Sequence, residues 1–121
     1  MKIHTFTPED FEKFKVKVQS LLDTFGMHEW NVTIAQEQIG DRVNAQATYN
    51  NNTKNASIRL TINAEGDFGM VWDVEKLAVH EVLHLLLADW CETAARLQSA
   101  THDLVVGQEH AVLNRLMRVI K

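Results

Sequence analysis

Apolar residues change their spacing along this chain, and each change marks an element. Phe11, Phe14, Val18, Leu21, Leu22 and Phe25 recur at the three- and four-residue spacing of one helix face. Just before them stands Thr7-Pro8-Glu9-Asp10: a capping hydroxyl, a proline suited to the first turn, and two acids at the positive end of the helix dipole. With Gly26 as a C-terminal cap residue, this spacing predicts a helix over residues 8–25.

The period then falls to two. Trp30, Val32 and Ile34 alternate with Asn31 and Thr33; after a Gly40-Asp41 turn, Val43, Ala45, Ala47 and Tyr49 alternate with polar residues; after Asn50-Asn51-Asn52, Ile58, Leu60 and Ile62 do so again. These segments predict a three-stranded antiparallel meander with one apolar face. A loop holding Gly66 and Gly69 leads to Asp73, a residue suited to cap a helix over 74–90. That helix is apolar nearly all round from Leu77 to Ala88, so it is expected to be the buried helix of the domain. A last helix is predicted over residues 103–120, which completes an α+β fold: helix, sheet, buried helix, final helix.

Composition sets the scale. At 121 residues, 45% hydrophobic and 23% charged, with one proline, the chain is expected to form a single domain spanning 1–121. A net charge of -4 argues against a nucleic acid or an anionic membrane as partner. Cys91 is the only cysteine, so an intrachain disulfide and a cysteine-based zinc site are both excluded. Residues 1–7 have no apolar signal-like core, and no run approaches the roughly 18 apolar residues of a membrane span. A cytoplasmic setting is the expectation.

Six histidines are many for this length, and two of them carry chemistry. His80-Glu81-Val82-Leu83-His84 lies within the buried helix. Residues four apart stand one above the other on a helix face, so His80 and His84 can bind one zinc ion at about 2.0 to 2.1 Å each. Glu81 is rotated from that direction by about 100°. There its carboxylate can serve as general base toward a metal-activated water. A buried helix that held two imidazoles and a carboxylate with no partner would lose several kcal/mol.

A third ligand is needed, with Asp89, Glu92, His102, Asp103, Glu109 and His110 as downstream candidates. Asp89 and Glu92 lie off the ligand face. On the last helix, Val105, Val106, Val112, Leu113, Leu116, Met117, Val119 and Ile120 form an apolar sector centred on the direction of Glu109. A carboxylate there demands a partner, which makes Glu109 the expected third ligand; His110 and His102 remain alternatives. His110 stands at the sector's edge, where it could also donate to a developing oxyanion. His4 and His28 have no local partner pattern.

These residues resemble the zincin superfamily of metallopeptidases. The order of elements is similar to a minimal gluzincin, to the SprT-like catalytic core, and to small phage or bacterial proteins of predicted metallopeptidase type. The resemblance implies zinc ligands at His80, His84 and Glu109, Glu81 as general base, and a strand containing Ile58 to Ile62 that pairs with an extended peptide substrate. Larger gluzincins often carry an acid one turn after the glutamate ligand, where this chain has Leu113. Asp73, Asp103 or a backbone carbonyl would then have to orient a histidine. The expected function is zinc-dependent hydrolysis of peptide bonds in a peptide or protein substrate. The alternatives are a zinc-stabilised binding module that does not cut, and hydrolysis of a non-peptide amide or ester at the same site.

Overall fold

A computed structural model describes residues 2–40, 42–66, 73–88, 109–111, 113, 114 and 117. The first helix, α1 (Pro8–Thr24), begins where the sequence places it. Thr7 accepts from the Asp10 amide at 3.1 Å while the Asp10 carboxylate accepts from the Thr7 amide at 2.8 Å, a reciprocal capping box. It ends in a Schellman motif: the Gly26 amide bonds to Asp23 and the Met27 amide to Leu22, with Gly26 at φ 65°. Only glycine takes that backbone angle without a steric cost.

Strand β1 (Lys2–Thr5) precedes this helix, and β2 (Asn31–Gln36), β3 (Ala45–Asn50), β4 (Asn55–Leu60) and β5 (Asn63–Gly66) follow it. The order in the three-stranded sheet is β2-β4-β3, with β2 parallel to β4 and β3 antiparallel to it. The expected three-stranded antiparallel meander is therefore corrected to a mixed sheet. Burial is the reason. Ala56, Ile58 and Leu60 in β4 are buried, whereas β3 is half exposed, so the most apolar strand takes the centre, where both of its edges are hydrogen-bonded. The eight residues 37–44 carry the chain past the β4 position, a gap of about 10 Å that so long a connection spans easily.

The sequence pattern also missed a ribbon, in which β1 pairs antiparallel with β5 from Lys2 opposite Gly66 to Thr5 opposite Asn63. Thr61 explains why β4 stops short of it. Its buried hydroxyl accepts from the Ile39 amide and donates to the Asn63 carbonyl, which bends the chain out of the sheet and leaves Ile62 39% exposed.

The second helix, α2 (Val74–Leu86), packs on α1 and against β3. Phe14, Val18 and Leu21 of α1, Ile58 and Leu60 of β4, and Val82, Leu83 and Leu85 of α2 belong to one continuous core. Each such side chain contributes about 1.5 to 3 kcal/mol by leaving water. The other face of the sheet is polar: Arg59 bonds to Glu37 at 2.7 Å and to Gln46. Among the described residues, no helix is long and apolar enough to cross a membrane.

Candidate functional site

The phase of α2 is set at its first turn. Asp73 accepts from the amides of Glu75 and Lys76 at 3.0 and 3.3 Å, which fixes where the helix starts and which residues face inward. Val74, Ala78, Val79, Val82, Leu83 and Leu85 are buried. His80 and His84 consequently share one half-buried face at the rim of the core. Their Nε2 atoms lie 3.1 Å apart, and their rings meet edge-on with centroids 4.8 Å apart.

The last helix supplies the neighbours of this pair. Residues 109–111, 113, 114 and 117 are helical. Glu109 is 5% exposed, Leu113 is fully buried and Met117 packs against the core, so four-residue spacing turns this stripe inward as the helical wheel predicts. Glu109 Oε1 is 2.8 Å from His84 Nδ1. An ionised carboxylate only accepts, so in the neutral ring the proton sits on Nδ1 and Nε2 presents a bare lone pair toward His80. The pKa of His80 is held below its ordinary value by burial first, then by His84 and His110, against a smaller pull from Glu109. Uncharged imidazoles are the form that metals bind.

His110 is exposed along the helix, yet its ring centroid lies 5.2 Å from that of His84 and 6.0 Å from that of His80. Three imidazoles therefore gather along the C-terminal half of α2.

The Glu81 side chain reaches the sheet and stays within electrostatic range of His84. It is 6% exposed and its carboxylate accepts the Ala47 amide of β3. Burial pushes its carboxyl up to about 7, against the attraction of His84 and the Ala47 hydrogen bond, both of which draw it down. The Ala47 amide is available because of the β3 register. The Thr61 amide donates to the Asn44 carbonyl, so along β3 the backbone groups of Gln46 and Thr48 turn toward β4, and those of Ala45, Ala47 and Tyr49 turn to the outer edge. No side-chain pattern encodes this contact. Finding it requires knowing that β3 is an edge strand.

The same topology corrects the strand expected to pair with a peptide. The Ile58 strand, β4, is central and both its edges are occupied; among the described residues, no strand pairs with the outer edge of β3. Asp73 is committed to capping α2, and Leu113 lies in the core. His28 is exposed, and His4 makes an edge contact with Phe6 at 4.7 Å. Asp89, Cys91, Glu92, His102 and Asp103 lie outside the described residues.

The donor set can be compared with the needs of zinc. Two imidazole nitrogens bound tetrahedrally at about 2.0 to 2.1 Å stand about 3.3 Å from each other, close to the 3.1 Å between the His80 and His84 Nε2 atoms. At that distance either His80 Nε2 carries a proton and donates it to His84 Nε2, or both lone pairs can face one cation. Among the described residues, no group of three or more histidine, cysteine, aspartate or glutamate side chains forms a metal-holding set as it stands. Glu109 Oε1 meets Nδ1 of His84, whose other ring nitrogen, Nε2, faces His80. No protein-family model, curated protein or solved structure matches the chain.

Proposed function

We propose that this chain is a zinc-dependent metallopeptidase. In this reading His80 and His84 hold the metal with a third ligand from the helix that carries Glu109 and His110, and Glu81 is the general base. The observation that carries it is the pairing of two imidazoles, Nε2 to Nε2 at 3.1 Å, with a buried carboxyl of pKa about 7 on the residue next to His80 in the same helix. Zinc, when bound, supplies Lewis acidity that polarises a peptide carbonyl and lowers the pKa of a water toward 7.

The chain's own groups provide the rest. A carboxyl poised near 7 both accepts a proton from water and returns one to a leaving amine, whereas an ordinary glutamate holds the proton too weakly to deliver it. Burial of Glu81 against β3 restricts its rotamers. The outer edge of β3, whose Ala47 amide is already taken by that carboxyl, is the edge beside which an extended peptide would lie in this reading.

The test is zinc content and hydrolysis of an unfolded protein such as casein, measured on the same preparations. Glu81→Gln should keep its zinc and lose hydrolysis, whereas His84→Ala should lose both. Full activity in Glu81→Gln would refute the proposal. Stoichiometric zinc without hydrolysis in the unmodified chain would replace it with the binding-module reading.

A further inference from the structure

We propose that His110 is the third zinc ligand and that Glu109 is a positioning residue acting through His84. The inference rests on the zinc site proposed above and concerns how that site is built. Its first support is the use of the Glu109 carboxylate. Oε1 is bonded at 2.8 Å to the Nδ1 of His84, the nitrogen on the side away from His80. To reach a metal in front of the two Nε2 atoms, the carboxylate would have to leave that proton. A partly buried N–H stripped of its acceptor bears its desolvation uncompensated, and more so where the lost partner is charged. Left where it is, the carboxylate fixes both the tautomer and the tilt of His84, as acceptors behind a metal-bound histidine commonly do.

The second support is the spacing of the rings. Three imidazoles bound through one nitrogen each to a tetrahedral zinc have ring centres about 5 Å apart. The three centroid separations here are 4.8 Å for His80 to His84, 5.2 Å for His84 to His110 and 6.0 Å for His80 to His110. His110 is exposed, so its ring can reorient within nanoseconds to aim a nitrogen inward. Glu109, 5% exposed and hydrogen-bonded, lacks that freedom. Adjacent residues on one helix thus divide the work: the one facing the core buttresses His84, and the one at its edge closes the ligand set.

Zinc titration of the metal-free chain by calorimetry, paired with X-ray absorption at the zinc edge, tests this. Glutamine at 109 retains an oxygen that accepts from Nδ1, so Glu109→Gln should bind zinc within about 10- to 100-fold of the parent. His110→Ala should bind more weakly than Glu109→Gln. The absorption spectrum should count three imidazoles in the parent and in Glu109→Gln, and two in any zinc that His110→Ala retains. Parental affinity in His110→Ala, or two imidazoles and a carboxylate in the parent, overturns this assignment and leaves the zinc site standing. A parent chain that takes up no zinc overturns both. The parent spectrum needs no variant, so the result does not depend on how either substitution folds.

Discussion

Replacing Glu81 with glutamine should stabilise the metal-free protein, by an amount that grows with pH. The carboxyl has an ordinary value of 4.5 and is raised to about 7 in the fold, chiefly by burial. Between those two values the folded chain keeps a proton that the unfolded chain has released, so raising the pH draws the equilibrium toward the unfolded state. Below 4.5 both states hold the proton and the effect is absent; above 7 both have lost it and the effect is complete. A gap of about 2.5 pH units corresponds to about 3 kcal/mol. Glu81 is 6% exposed, so solvent screening takes little from that figure.

Glutamine has the same shape, never ionises, and can still accept the Ala47 amide through its side-chain oxygen. Urea unfolding of both proteins in chelator should therefore show nearly equal stability at pH 4.5 and an advantage of about 3 kcal/mol for Glu81→Gln at pH 8. In thermal melts that is an increase of about 10 °C. His80 acts in the opposite direction: its lowered pKa makes the folded state gain stability as pH rises toward 6.5. Both proteins share that contribution, so the difference between them isolates Glu81. A difference that stays constant from pH 4.5 to 8, or a less stable glutamine variant at pH 8, would refute the account of Glu81 as a carboxyl held against its own solvation.

Two further predictions probe the frame around it. The amide proton of Ala47 should titrate by NMR with a midpoint near 7 in the metal-free chain and become flat in Glu81→Gln, because its hydrogen-bond acceptor is the group that ionises; a flat profile in the parent would remove the contact. Thr7→Ala deletes one of the two capping-box bonds of α1 and should cost about 1 kcal/mol, read as a lower urea midpoint. An unchanged midpoint there would mean that tertiary packing alone fixes the start of the helix.

Local chemistry made the helices legible and left the sheet ambiguous. Thr7, Pro8 and Gly26 specify α1 because caps and the left-handed C-terminal residue depend on neighbours a few positions away. Asp73 marks the start of α2 for the same reason, and with it the face that His80 and His84 share. Strand order depends on distant competition. Alternation in Ala45 to Tyr49 and in Ile58 to Ile62 reads alike, and only the stronger burial of Ala56, Ile58 and Leu60 puts β4 in the centre. The β1 to β5 ribbon escaped because four-residue strands with mixed composition carry almost no periodicity. At the site, the inward position of Glu109 followed from the apolar wheel of its helix. Which nitrogen of His84 it meets did not, because ring orientation is decided by contacts between helices.

The strand order that the sequence concealed is what gives Glu81 its chemistry. In an antiparallel meander β3 would be the central strand, its backbone groups used on both sides, and no amide would face α2. With β4 in the centre, β3 becomes the edge packed against α2, and the outward amide of Ala47 meets the carboxyl one residue after His80. The cost of burying that carboxyl is carried by the core around it, from Val82 and Leu83 of the same helix to Ile58 of the central strand. A sequence shaped for stability alone would place an apolar side chain at position 81. An ionisable one, raised into the range where it exchanges protons at neutral pH and set beside two facing imidazoles, is the local conflict on which the proposed site rests.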